Sequence, residues 1–122
     1  METIQEDFTK VVNGVDVKKL QATIEAINKN PDLASFSFHT VTEWVDGAQN
    51  KTLIDRQEGD TQGGEPFVML SDEPEVLMGS GTAPNSITSV LQALASSLSV
   101  SIVYHAAARD IQIDRLTIHM DG

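Results

Sequence analysis

One long apolar stretch, predicted to form a helix over residues 86–109, limits what this chain can fold into more than any other feature. Its large apolar residues form a continuous stripe: Ile87, Val90, Leu91, Leu94, Leu98, Ile102 and Val103. Small Ala and Ser residues widen the stripe and let another backbone approach closely. Such a helix is about 36 Å long, and apolarity around most of its surface is typical of a buried element. The sequence therefore predicts a fold built around this helix.

A shorter amphipathic helix is predicted after a leader, residues 1–13, that includes one edge strand. The apolar residues of this helix share one face because they lie three or four positions apart: Val17, Leu20, Ile24 and Ile27. Asp16 is a suitable N-cap, and Asn30-Pro31 ends the pattern. The opposite face is polar, so we expect this helix to lie on the rest of the protein with one side in solvent.

Four strands are predicted from apolar alternation and from turn residues. They are Ala34–Val45, Asn50–Arg56, Glu65–Ser71 and Ile111–Met120, the last with a bulge near Asp114. Asp46-Gly47 joins the first two as a hairpin, because Gly tolerates the positive φ of a tight turn. Residues 57–64 and 72–85 are predicted loops. This order of elements predicts an α+β fold with a mostly antiparallel sheet in a single domain, residues 1–122.

The charge of the chain argues against several classes of partner. Its formal net charge is −10, and its Lys and Arg residues are scattered rather than grouped. Binding to phosphate groups needs a basic patch, so we expect no nucleic-acid partner. We also expect no membrane partner, no membrane span and no signal peptide. The absence of cysteine excludes disulfides and thiolate metal sites and is compatible with the cytoplasm, which is the expected location.

The histidines do not indicate a metal site. They are His39, His105 and His119, and none has the spacing of a metal-binding motif. His39 and His119 lie on predicted strands that a sheet can bring together, but a metal site would need both of them and a carboxylate, so exposed strand histidines are expected. We therefore expect no metal and no cofactor.

The predicted loop over residues 72–85 contains two candidate chemical sites. Its carboxylates Asp72, Glu73 and Glu75 would do acid–base work only if burial raised one pKa, and in a loop we expect them to be solvated. The Gly-rich run Met78–Gly81 precedes the long helix, where backbone N–H groups bind phosphate in some proteins. It matches no known phosphate-binding motif, so a mobile loop is expected instead.

Several short motifs, taken in order and with their spacing, resemble one family. They are Asn13-Gly14-Val15-Asp16, Ala22–Ile27, Trp44-Val45-Asp46-Gly47, Glu65-Pro66-Phe67, Asp72-Glu73-Pro74, Ala83-Pro84-Asn85, Leu91–Leu98 and Val103–Arg109. Together they are similar to the OsmC/Ohr family, the osmotically inducible protein C and organic hydroperoxide resistance proteins, on the OsmC side. The resemblance covers nearly all of the chain, which corresponds to roughly the first two thirds of a family member.

The resemblance implies a homodimer with strands shared between the subunits and two long helices at its centre. Family members reduce organic hydroperoxides. A cysteine on the long helix attacks the peroxide, and a second cysteine further along the chain resolves the sulfenic acid as a disulfide. A nearby Arg and Glu activate the first thiol.

This chain departs from the family at the catalytic positions. Ser97 stands where the family has its first cysteine, and a hydroxyl is not ionised at neutral pH and cannot form a sulfenic acid. Ile87 and Thr88 stand where the family has its Glu, and the second cysteine belongs to a C-terminal part without a counterpart here. Arg56 is a candidate for the Arg. Thiol peroxidase activity is therefore not expected.

A serine enzyme is also disfavoured. Ser97 would need a base within hydrogen-bond reach, whereas His105 lies eight residues further along the same predicted helix, about 12 Å away. Ser97 is therefore expected to be a small packing residue.

Two hypotheses of different classes remain. The first is a dimeric domain without peroxidase activity that binds a small hydrophobic molecule in a cleft between subunits. Its lining is expected to comprise Phe67, Ile87, Leu91, Leu94 and Ser97. The second is a structural or protein-interaction remnant of the hydroperoxide-reductase scaffold with no small-molecule role. Because a shortened family fold would leave apolar surface uncovered, both hypotheses predict a homodimer or higher oligomer.

Overall fold

The computed structural model describes residues 10–56 and 64–122, and within them it shows an α+β protein with two antiparallel sheets and two α-helices. The elements are β1 Val11–Val12, β2 Val15–Asp16, α1 Val17–Lys29, β3 Thr40–Asp46, β4 Gln49–Ile54, β5 Phe67–Ser71 and α2 Ser86–Ala108, with 3₁₀ turns at Pro31–Ala34 and Glu75–Leu77. The predicted α+β class is confirmed. Most of the predicted leader and of the loop over residues 57–64 lies outside the described residues.

The described residues form two compact units. One comprises residues 10–35 and 93–121, and the other comprises residues 36–56, 64–92 and 122. The first is called here the helical unit and the second the sheet unit. The single domain over residues 1–122 stays a prediction.

The sheet unit contains β3, β4 and β5, which pair antiparallel in that order. The predicted hairpin at Asp46-Gly47 is confirmed: Gly47 has φ +59, and its carbonyl accepts a hydrogen bond of 2.9 Å from Trp44 Nε1. β3 begins at Thr40 and not at the predicted Ala34. The ladder stops at the pair Thr40–Ile54, where β4 ends, and Ala34 instead closes a 3₁₀ turn.

The shorter helix of the helical unit is confirmed with its predicted cap. Asp16 Oδ1 accepts a hydrogen bond of 3.0 Å from Lys19 N, which satisfies one of the free N–H groups of the first turn. The helix ends at Lys29, and Asn30 N–H donates to Ala26 O at 2.9 Å. The sequence-predicted boundaries are therefore correct because both ends are set by local groups.

A short ribbon of β1 and β2 precedes α1, where the sequence analysis predicts only a single edge strand. Asn13 and Gly14 both have positive φ, as a two-residue hairpin turn requires. The buried apolar residues of the described chain are Val12, Val17 and Ala107. The β1–β2 ribbon, the start of α1 and the end of α2 thus share one small core.

The predicted strand Ile111–Met120 is wrong for the described chain, and so is its bulge near Asp114. Among the described residues of its unit, the strands are β1 and β2, which have two residues each and pair with each other. The segment is held instead by side-chain and helix-end hydrogen bonds. Asn13 Nδ2 donates to Ile111 O at 2.9 Å, Ile113 N donates to Asn13 Oδ1 at 2.8 Å, and Ile111 N donates to Ala106 O at 2.8 Å.

The long helix α2 is confirmed as an element, but its predicted burial is wrong within this chain. It runs from Ser86 to Ala108, and Asn85 Oδ1 caps it by accepting a hydrogen bond of 2.9 Å from Thr88 N. Ile87, Val90 and Leu94 remain 60%, 65% and 51% exposed. By length and composition alone, α2 is also apolar enough to cross a membrane, a test that core helices of soluble proteins pass as well. Most of the large apolar side chains of α2 are thus left exposed by the described chain.

Candidate functional site

The five residues expected to line a cleft are divided between the two units. Phe67, Ile87 and Leu91 belong to the sheet unit, whereas Leu94 and Ser97 belong to the helical unit. Ser97 is exposed, and Phe67, Ile87 and Leu94 are each at least half exposed. None of the five lines either of the two grooves described below. The cleft therefore stays a prediction that requires a second subunit.

Arg56 and Phe67 lie together in the sheet unit. Arg56 Cζ lies 4.0 Å from the centroid of the Phe67 ring, and Arg56 Nε donates to Glu65 O at 2.6 Å. A guanidinium over an aromatic face is attracted by the negative face of the ring. The candidate for the family's Arg is thus held against a residue of the predicted cleft, and the stack restricts where its charge can point.

Ser97 and His105 are both on α2, which is continuous between them. Their separation of eight residues corresponds to about 12 Å along a helix. Arg109 Nη1 donates to His105 O at 3.2 Å and lies 3.5 Å from His105 Nδ1. His105 is therefore engaged at the end of its helix and is no base for Ser97 of the same chain.

The histidines form no metal site in the described part of the chain. His39 Nδ1 lies 2.9 Å from Asp55 Oδ2, and both side chains are exposed. Neither His39 nor His119 lies on a strand among the described residues, so the prediction of strand histidines is wrong. No group of three His, Asp or Glu residues among those described is arranged to hold a metal ion.

The loop after β5 is organised around a buried carboxylate, Asp72, which is 1% exposed. The expectation that this carboxylate is solvated is wrong. Asp72 Oδ1 accepts a hydrogen bond of 2.8 Å from Glu73 N, and Oδ2 accepts from Thr82 N at 3.0 Å and from Thr82 Oγ1 at 2.7 Å. Ser80 N also faces it, 3.3 Å from Oδ2. Donors up to ten residues away thus close the loop around one side chain.

Hydrogen bonds within the loop also engage the backbone N–H groups that were candidates for binding phosphate. Ser80 N and Thr82 N point at Asp72, and the intervening Gly81 N donates to Glu73 O at 3.0 Å. Gly79 N donates to Pro74 O at 3.0 Å. The anion that this loop binds is its own carboxylate, so the loop serves to fix the chain before α2.

Asp72 has a lowered pKa for the same reason. The Thr82 backbone N–H and then the Thr82 hydroxyl lower the pKa of Asp72 from 3.8 to about 2, against the opposing effect of burial. Its stabilising contribution is fully present above the ordinary value of 3.8 and is lost as the pH falls through the folded value of about 2. We expect a ¹³C NMR titration of Asp72 Cγ in the folded protein to give a midpoint near the lower value. A midpoint at or above 3.8 would contradict the hydrogen-bonded geometry.

Gly79 is expected to tolerate no side chain. A Cβ at this position would overlap the backbone carbonyl of Glu73, which Gly81 N–H holds in place. We expect Gly79→Ala to lower the free energy of unfolding by about 1–3 kcal/mol, the usual range for overpacking. Gly64→Ala is the matched control, because a Cβ there meets nothing within 4 Å. Urea unfolding compares the two variants, and equal stability would show that the loop can open at no cost.

Two open grooves occur on the described surface, one in each unit. The groove of the helical unit has a volume of about 440 Å³ and is lined by Gly14, Val15, Asp16, Lys19, Leu20, Thr23 and Tyr104. The groove of the sheet unit has a volume of about 430 Å³ and is lined by Thr40, Thr42, Asn50, Thr52, Ile54, Met69, Leu70, Ser71, Ser86 and Ser89. Both volumes are within the range of small-molecule sites.

Neither groove is anticipated by the sequence analysis. The signal for the second one is present in the alternation of Thr40, Thr42 and Thr52 along β3 and β4, since alternate strand residues share a face. No protein-family model and no curated protein matches the chain.

Proposed function

We propose that this protein is an OsmC-like homodimer of the cytoplasm that lacks peroxidase activity and binds a small hydrophobic molecule between its subunits. The observation that carries the proposal is the exposure of α2, the longest and most apolar element described. Burial of apolar surface contributes roughly 25 cal/mol per Å². An uncovered apolar helix of 23 residues is therefore a strong driving force for association.

A second copy of α2 suits this surface. The helix carries Ala and Ser at many positions between its large residues, so two backbones can approach closely. An extended apolar patch of this kind marks a protein or membrane contact. The acidic net charge of −10 disfavours an anionic bilayer, which leaves another protein chain as the favoured partner.

The sheet unit supports strand sharing between subunits. β3 and β5 each pair only with β4 among the described strands, so the outer edge of each has no described strand against it. Open edges offer unpaired N–H and C=O groups to another chain. Residues 111–120 have an alternating apolar pattern and pair with none of the described strands, and they are the segment we propose to pair in the dimer.

The residues at the family's catalytic positions support binding rather than turnover. There is no cysteine, and Ser97 has the place of the first thiol. Phe67, Ile87, Leu91 and Leu94 are apolar, so a cleft that α2 forms with a second subunit would hold an apolar molecule. Arg56 stacks on Phe67 at this end of the sheet unit and would contact a polar end of the same molecule.

Native mass spectrometry of the purified protein tests the proposal, since it reports subunit number and retained ligand together. A mass of two chains plus a small molecule is the expected result. A bare dimer would retain the scaffold and favour the alternative, a structural or protein-interaction role. A monomer, or protein recovered only with detergent or lipid vesicles, would overturn the proposal.

A further inference from the structure

The groove of the sheet unit has a composition unlike that of a simple apolar cleft. All of its described lining residues are uncharged. Six of them carry hydroxyls: Thr40, Thr42, Thr52 and Ser71 on the strands, and Ser86 and Ser89 on the first turns of α2. Ile54 and Met69 supply apolar surface, and Asn50 supplies an amide. Every one of these residues comes from the same chain, so the groove does not depend on the proposed dimer.

The strand register brings the polar groups together. Thr42 pairs with Thr52, and Asn50 pairs with Ser71, so these side chains lie on one face. Glu43 and Lys51 form the pair next to Thr42 and Thr52, one residue along each strand, so their side chains lie on the opposite face of the sheet. The Glu43–Lys51 pair is thus kept on the other side of the sheet from the groove.

The hydrogens of four of these six hydroxyls can be followed individually. Ser71 Oγ donates to Pro84 O and Ser89 Oγ donates to Asn85 O, each at 3.2 Å. Since a hydroxyl has one hydrogen, these two oxygens face the groove as acceptors only. The Thr42 and Thr52 hydroxyls lie 2.8 Å apart, and their mutual bond uses one of their two hydrogens. The other hydrogen is left as a donor for a third group.

We propose that this groove binds a neutral amphiphile whose polar end both donates and accepts hydrogen bonds, such as a primary carboxamide or an alcohol, with its short apolar part against Ile54 and Met69. A carboxylate only accepts and an ammonium only donates, and each would lose its hydration without a countercharge in the groove. The net charge of −10 further disfavours anions. None of the five residues proposed for the cleft between subunits lines this groove.

Four probes with the same six-carbon chain test the assignment: hexanamide, hexan-1-ol, hexanoate and hexylammonium. Binding is followed by methyl ¹H–¹³C NMR of Thr42 and Thr52 at neutral pH. We expect hexanamide and hexan-1-ol to shift both methyl signals and to bind at least about tenfold more tightly than the two ions, a difference of one decade in Kd. Equal affinity for the ions, or no shift with either neutral probe, would overturn the proposal.

Isosteric variants identify the groups involved. Thr42→Val with Thr52→Val removes the hydroxyl pair while retaining shape and strand preference, and we expect hexanamide binding to weaken at least about tenfold, as loss of a hydrogen-bonding site requires. Ser37→Ala is the control, because it removes a hydroxyl from an exposed position of the same unit that does not line the groove. Ser89→Ala gives a second test on α2 should the strand variant fold poorly. Unchanged hexanamide affinity in a folded variant of either kind would refute the site.

Discussion

Leu94→Glu is expected to convert the proposed dimer into monomers. Leu94 is on α2 and half exposed in the single chain, so the new carboxylate disturbs little within the chain itself. In a helix–helix interface the same carboxylate would be buried without a partner, which costs several kcal/mol. Since each 1.4 kcal/mol is a factor of ten, the dissociation constant should rise at least about 100-fold. Sedimentation velocity over a concentration series measures this directly.

Gln92→Glu is the control for Leu94→Glu. It adds the same charge two residues earlier on α2, at a position that is already polar and exposed. We expect this variant to remain a dimer. If both variants associate like the unchanged protein, α2 is not the interface and the proposed OsmC-like dimer is wrong. If Leu94→Glu also lowers the helix content of the chain, the comparison is repeated with Leu94→Gln.

The elements that sequence analysis predicts correctly are those set by neighbouring residues. The start of α1 depends on Asp16 and Lys19, three residues apart, and the β3–β4 turn depends on Gly47. The bounds of α2 follow from a local cap at Asn85 and a continuous helical pattern. In each case the stabilising contact closes within about one turn, so that a short window of sequence contains both partners.

The incorrect predictions concern what lies beyond such a window. Apolar periodicity shows which side of a helix avoids water but not which element covers that side. The sequence of α2 therefore predicts burial, whereas most of its large apolar side chains are exposed in the single chain. The alternation over residues 111–120 indicates a strand only if another strand is present to pair with. A strand needs a partner for its hydrogen bonds, and none of the described strands pairs with this segment.

Asp72 illustrates the same point for the candidate sites. Next to Glu73 and Glu75 it has the appearance of a solvated acidic cluster, and its burial depends on Ser80 and Thr82, eight and ten residues later. The groove of the sheet unit likewise depends on the strand register, which makes Thr42 and Thr52 neighbours. Sequence can propose the residue types for such sites, whereas the contacts come only from the fold.

Asp72→Asn is expected to be among the most destabilising single substitutions in the sheet unit. The carboxylate accepts hydrogen bonds through both oxygens from Glu73, Ser80 and Thr82, whereas an amide offers one acceptor and turns an N–H₂ donor toward the remaining donors. Buried donors without acceptors destabilise the folded state. We expect the midpoint of thermal unfolding at neutral pH to fall by roughly 5–10 °C.

The pH dependence separates this explanation from a general loss of packing. Below the ordinary pKa of 3.8, Asp72 of the unchanged protein progressively loses its advantage, so its unfolding midpoint and that of Asp72→Asn should converge as the pH approaches about 2. Glu75→Gln is the matched control, because it removes one negative charge from an exposed position three residues away. The comparison is made at one protein concentration, since association shifts the midpoint. A constant difference at all pH values would mean that Asp72 acts through its shape, and that the loop before α2 is not held by its charge.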